Sequence, residues 1–459
     1  MPAGPAPLER SSPPTLRTGR TVLLLLPPLA AHCGLLAVYD LARHPALTLT
    51  LLGAAFLGLA LASRHLAAIP GRAILWGALL LRLPLLALPP SLSDDAWRYL
   101  WDGRVAAAGF NPYALAPSAE ELTPLRDEVW QRLPHKEVPT VYPPLAVAGF
   151  SIATRFPFPL LAWKGIVTAA DLAACLFLLS LADRRGAPEG RAIWYAWNPL
   201  VALEISGMGH VDALGVMAVV GALLFLFDRR RAGTAATWAA AGVLAKLVPL
   251  AAFPLWARRS RRPAWFLAAS LGLLASAGLP VLAATGGVPP GLLTYGVSWE
   301  FNGPLFEPLW RGLDGIGAAP ALATFLDRLK GWTGEHELWN PLYPYLYPQL
   351  LAKVLLGIGM LAAVALSLRE EDPVAGTERL FGRLLLCSAT VYPWYLLWVL
   401  PLAALSRRVP WLALSGLILL SYIPQLLGVP LFPWVYLAVW GPFAALLVRE
   451  RLVKERIAS

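Results

Sequence analysis

The chain has 459 residues, of which 57% are hydrophobic and only 14% charged, with mean hydropathy +0.59 and net charge +10. Soluble domains carry about 25% charged residues, so these figures exclude a soluble globular protein and demand a polytopic membrane protein. The basic excess falls in short loops between apolar runs, where the positive-inside rule places it, and so requires no nucleic-acid partner.

In chain order, residues 1–20 are Pro-rich with Arg10, Arg17 and Arg20, and read as a disordered cytoplasmic N-terminus without a signal-peptide pattern. Residues 21–448 read as one transmembrane domain. Spans at 21–41 and 45–63 lead to a basic loop, 64–72, and a third span, 72–90, delivers Asp94 and Asp95 to the outside. The next basic loop, 183–191, requires an odd number of crossings between. One at 160–182 leaves 91–158 as a long external segment with short surface helices, one starting after Tyr142-Pro143-Pro144. A loop of that length is functional more often than not.

Spans at 192–206 and 209–227 close at Arg229-Arg230-Arg231. Too few residues separate Arg231 from Arg258 for two full crossings, so 233–257 reads as a shallow hairpin with Lys246 near its tip. A span at 264–284 opens a second external segment, 286–345, containing Ser298-Trp299-Glu300-Phe301-Asn302. A span at 347–368 returns to a loop of mixed charge, 369–383. A compressed hairpin, 384–406, turns at Tyr392-Pro393-Trp394-Tyr395, and spans at 410–424 and 431–448 precede a basic cytoplasmic tail, 449–459. The expected fold is an all-α bundle of about 12–14 transmembrane or short broken helices. Cys33, Cys175 and Cys387 sit in apolar spans, which leaves no disulfide framework.

The chemistry gathers on the external side. Two adjacent carboxylates at the mouth of an apolar span repel each other, and one is driven toward a higher pKa. That makes Asp94 or Asp95 a base for an alcohol proton. Helix capping accounts for one of them, but not for both, nor for Asp102. Arg98, Arg104 and Lys246 can neutralise a departing phosphate. His210, Glu204, Asp212, Tyr392 and Trp394 share the same side. Singly they read as a loop histidine, helix caps or partners of arginine, and interfacial aromatics. One base opposite one departing phosphate is the geometry of a single displacement with inversion. Retention would need a second carboxylate nearby, and Asp102 lies about two helical turns away.

Asp94-Asp95, Arg98-Tyr99-Leu100-Trp101-Asp102-Gly103-Arg104, Asn111-Pro112-Tyr113 and Tyr142-Pro143-Pro144-Leu145 resemble the first external loop of GT-C glycosyltransferases. The nearest likeness is to bacterial polyprenyl-phosphate-mannose-dependent mannosyltransferases, with a similar order in GPI mannosyltransferase I. Asn198-Pro199-Leu200 with Glu204 and Gly209-His210-Val211-Asp212, then Lys246 with Pro249, then Pro393-Trp394-Tyr395 with Trp398 extend the likeness from about 90 to 405. The resemblance implies a plasma-membrane enzyme that moves a hexose from a polyprenyl-phosphate sugar to a lipid or glycan hydroxyl. Asp94 or Asp95 would serve as base or orient the acceptor. Arg98, Arg104, Lys246, His210 and Tyr392 fall to the donor, and Asp102, Asn111, Tyr113, Glu204, Asp212 and Trp394 to the acceptor or to structure. Relatives often carry His where this chain has Tyr392. Metal dependence differs among relatives; Asp94, Asp95 and Asp102 are oxygen ligands of the kind magnesium or manganese accepts.

Two other classes share parts of this pattern. A transporter or flippase of lipid-linked glycans also carries polar groups and broken helices at depth, but places them at the midplane with repeat symmetry, which this chain lacks. A ligase that uses a lipid diphosphate donor would also need an external loop and cations.

Overall fold

The computed structural model describes residues 18–226 and 228–458, so all but the last three residues of the expected N-terminal segment lie outside it. The apolar runs become α1 (Thr18–Val38), α2 (Pro45–Ala62), α3 (Gly71–Leu86), α4 (Asp95–Ala107), α5 (Pro144–Ala153), α6 (Pro159–Arg184), α7 (Asp212–Leu226) and α8 (Ala232–Ala245). The rest is built from α9 (Pro263–Thr285), α10 (Pro290–Ser298), α11 (Phe306–Gly315), α12 (Ala318–Thr333), α13 (Pro348–Ser367), α14 (Pro373–Leu386), α15 (Val409–Leu417) and α16 (Tyr436–Ala458). Six helical stretches among the described residues are long and apolar enough to cross a membrane, including α6, α9 and α13. The same residues show no extended pairing beyond isolated bridges of Phe301 and Asn302 with Thr390. The chain is an all-α polytopic membrane protein.

The turns between helices sort into two groups by their contacts. At one end the basic turns interlock. Arg185 pairs with Asp372 at 2.5 Å, Arg259 donates to the Glu370 carbonyl, Arg191 to the Leu405 carbonyl, and Arg408 pairs with Glu450 at 2.9 Å. The opposite end gathers the first long loop, the 207–211 turn, Lys246, the second long loop and residues 387–398.

The first long loop is built, not slack. It has its own small core of Trp101, Val105, Leu122 and Leu133, and α4 lies hard against α5. A Cβ at Gly103 would stand 2.5 Å from the Phe150 carbonyl oxygen, which is backbone and cannot step aside. Gly103→Ala must therefore part the two helices and is expected to cost about 1–3 kcal/mol of stability. Its melting temperature in detergent should fall, while Gly165→Ala, whose Cβ meets open space, should melt like the parent. Lys164 fixes where this loop begins. Its ammonium donates to the carbonyls of Leu85, Leu86 and Leu88 at 3.0, 2.8 and 2.7 Å, closing the end of α3 with a buried cation.

Three segments differ from expectation. The stretch expected to be a span at 192–206 is broken into single turns that end in a π-turn at Leu203–Gly207. Asn198 accepts the Leu200 N–H ahead of this piece, and Pro199 cannot extend the helix before it. The mixed-charge loop expected at 369–383 is mostly helix, because Asp372 caps α14 at the Val374 N–H and Pro373 suits a first turn. The hairpin expected at 384–406 therefore begins with a charged arm. The basic tail at 449–459 continues α16 through Ala458.

Candidate functional site

Asp94 holds the N-cap position of α4, yet its side chain makes no capping hydrogen bond; Ser93 Oγ accepts the Asp95 N–H instead, at 3.3 Å. The acidic pair is thus not consumed by the helix end. Asp94 is exposed, and partial burial raises its carboxyl above the usual range. Asp95 sits deeper, with 31% of its side chain exposed and protein on most sides. Burial pushes it up to about 6, Lys246 pulls it down, and Asp212 pushes it up again. Tyr99 donates to its Oδ2 at 3.3 Å.

Behind Asp95 stands the 207–212 turn. Gly209 has φ +81, and its carbonyl accepts Trp163 Nε1–H at 2.7 Å, so the turn is pinned where only glycine is unstrained. It puts His210 Nδ1 3.7 Å from Asp95 Oδ2 and Nε2 3.2 Å from Glu204 Oε2. Glu204 accepts the Tyr422 hydroxyl at 2.9 and 3.1 Å. Asp212 opens α7, where the helix dipole favours an anion, and Lys246 closes α8, where it favours a cation. Lys246 Nζ donates to both Asp212 oxygens at 2.8 Å, Trp398 Nε1 donates to Oδ1 at 2.6 Å, and the ammonium lies 4.9 Å from the Tyr395 ring centre.

Of the candidates drawn from the sequence, the structure gathers Asp95, Glu204, His210, Asp212, Lys246, Tyr392 and Trp394 in this cluster, with Asp94 at its rim. Others are engaged elsewhere. Arg98 pairs with Asp102 at 2.9 Å and donates to the carbonyls of His135 and Val138, so its buried guanidinium straps α4 to the rest of the loop instead of facing a phosphate. Arg104 is turned to Asp127 at 2.6 Å and to the Leu125 carbonyl. Asn111 accepts the Tyr113 N–H in an Asx-turn, and Tyr113 is buried. Tyr392 is covered on both faces by Phe301 and Trp394, which accounts for an aromatic ring at this position.

Sequence reasoning gave no role to Tyr99 or Trp398, although both lie within motifs it singled out, and passed over Tyr422 and Lys164. No local pattern marks those two. Asp102 is paired with Arg98 one turn further along α4, and no group of three or more His, Cys, Asp or Glu side chains among the described residues could hold a metal ion. The three aspartates offered as oxygen ligands do not form such a group.

Comparison with known proteins agrees with the motifs. The chain is 26% identical over 384 residues to a probable alpha-(1->6)-mannopyranosyltransferase of Mycolicibacterium smegmatis, an alignment covering 71% of this chain and 64% of that protein. It thus spans less than two thirds of that relative's length. No solved structure matches it. The family described as alpha-(1->6)-mannopyranosyltransferase, N-terminal domain, matches residues 22–259, more than half of the chain. With the Asp94–Tyr113 and Tyr142–Leu145 motifs lying inside that match, the chain belongs to the alpha-(1->6)-mannopyranosyltransferase family.

Proposed function

We propose that this protein transfers mannose from a polyprenyl-phosphate donor to a hydroxyl of a lipid or glycan, with inversion, on the extracytoplasmic side of the plasma membrane. The observation that carries the reading is a juxtaposition at one end of the bundle: a partly open carboxylate, Asp95, lies 3.7 Å from His210, and two residues along the same turn Asp212 holds the Lys246 ammonium at 2.8 Å. An ammonium has three donors, and Asp212 takes two of those of Lys246. The third is left for a donor phosphate, whose developing charge in the transition state it stabilises. Asp95, raised toward neutrality, accepts the proton of the acceptor hydroxyl as the glycosidic bond forms. Asp94, free of capping, is placed to hold the incoming acceptor.

The sidedness rests on charge. The interlocked basic turns lie at the opposite end from the site, and basic turns stay cytoplasmic. Inversion has a stereochemical consequence. If the product linkage is alpha, as in the relative's name, a single displacement requires a beta-linked donor.

The test is an incubation of the purified protein with beta-linked and alpha-linked polyprenyl-phosphate mannose and membrane lipids as acceptors. Alpha-linked product from the beta donor supports the reading. Product from the alpha donor alone, or movement of intact lipid-linked sugar without transfer, overturns it. Lys246→Met is expected to lower kcat by roughly 10²- to 10³-fold. It also leaves the buried Asp212 carboxylate with only its bond from Trp398, so Lys246→Met with Asp212→Asn, which strands no charge, is measured beside it together with both melting temperatures.

A further inference from the structure

Trp299-Glu300-Phe301-Asn302 stands out in the second long loop but has no part in the chemistry above. The structure fixes this segment from several directions. Phe301 N–H donates to the Ala389 carbonyl at 3.0 Å, and Val391 N–H donates to the Phe301 carbonyl at 2.7 Å. Glu300 pairs with Lys353 at 2.9 Å. Asn302, fully buried with φ +53, accepts Trp440 Nε1–H at 2.9 Å.

So held, Phe301 starts a continuous stack of four rings. Phe301 and Tyr392 have centres 4.6 Å apart at 16°, Tyr392 and Trp394 4.5 Å apart at 1°, and Trp394 and His210 3.9 Å apart at 16°. The last ring is the imidazole between Asp95 and Glu204. Neither of its nitrogens makes a hydrogen bond of acceptable geometry among the described residues, though both carboxylates stand close. Hydrogen bonds therefore do not set the plane of this ring; face contact does. Stacked rings resist tilting because the contact is lost when the planes diverge.

We infer that Phe301 is a positioning residue for the transfer reaction: acting through Tyr392 and Trp394, it holds the His210 imidazole edge-on between Asp95 and Glu204. This rests on the function proposed above. It couples the second long loop to the reacting carboxylate through a chain of stacked side chains.

Phe301→Leu fills the space without offering a plane, whereas Phe301→Tyr keeps the ring. In the leucine variant kcat should fall by roughly 10- to 100-fold, the loss expected from a misplaced catalytic group, with little change in donor KM. The acid limb of its pH–kcat profile should also move. Phe301→Tyr should restore both. A second readout needs no turnover: in protein labelled at its six histidines, the His210 ring signals, assigned with His210→Gln, should lose part of their ring-current shift in Phe301→Leu. Parent-like kcat, profile and His210 shift in Phe301→Leu overturn the inference, as does failure of Phe301→Tyr to rescue. Asp95→Asn keeps the two levels apart. If it stays active, the proposed role of Asp95 as base fails. If it is inactive while Phe301→Leu behaves like the parent, only the positioning role fails.

Discussion

Asp95→Asn is expected to lose transfer by roughly 10²- to 10⁴-fold, the range for removing a general base, with its melting temperature near that of the parent. Asparagine matches the shape of the carboxylate and can still accept from Tyr99, so the loss isolates the proton-accepting role. Asp94→Asn should cost less and act more on acceptor KM, because Asp94 is exposed and lies outside the His210 cluster. The sign of the pH dependence follows from the same group. With the carboxyl near 6, it is protonated below that pH and cannot take a proton. The kcat/KM of the parent should therefore rise tenfold per pH unit well below 6 and level off above it. A rate for Asp95→Asn within a few-fold of the parent, or a parent profile flat from pH 5 to 7, would end the assignment of Asp95 as base.

The sequence made the candidate site legible where its residues lie close together in the chain. Two adjacent aspartates, a Gly-His-Val-Asp turn and a lysine at a hairpin tip are each visible in a few residues. Helix reversal then brings them together, because apolar length and basic turns fix which end each occupies. The short hairpin around Lys246 was readable for the same reason: α8 and the Phe253–Arg259 helix are too short for two crossings. Partnership was not readable. Arg98 and Arg104 look like phosphate cations in a list of residues, yet the first loop folds back and takes their donors with carbonyls of His135, Val138 and Leu125. Tyr422 reaches Glu204 from more than two hundred positions away, out of an apolar run that reads as span. Contacts of that kind depend on how helices pack, which periodicity does not encode.

The same limit hid what is expected to be the costliest stability determinant, and it yields a second large effect. Arg82 and Asp171 sit inside apolar runs 89 positions apart and meet at 2.5 Å with both side chains fully buried. The guanidinium also donates to the carbonyls of Ala78 and Ala196, and Tyr195 donates to the other Asp171 oxygen at 2.7 Å. The pair ties α3, α6 and the broken 193–196 turn together next to the stem of the first long loop. Removing one partner strands a charge where no water can reach it. Asp171→Ala is expected to cost about 3–5 kcal/mol, enough to lower folded yield and melting temperature in detergent sharply. Arg82→Met with Asp171→Leu removes both charges and should recover most of that loss, since apolar replacement of a buried pair is often neutral. Recovery in the double variant separates the stranded charge from simple loss of packing, which a second truncation would deepen. If Asp171→Ala melts with the parent, the pair is not dry; if the double variant is worse than either single, its worth lies in the bond itself.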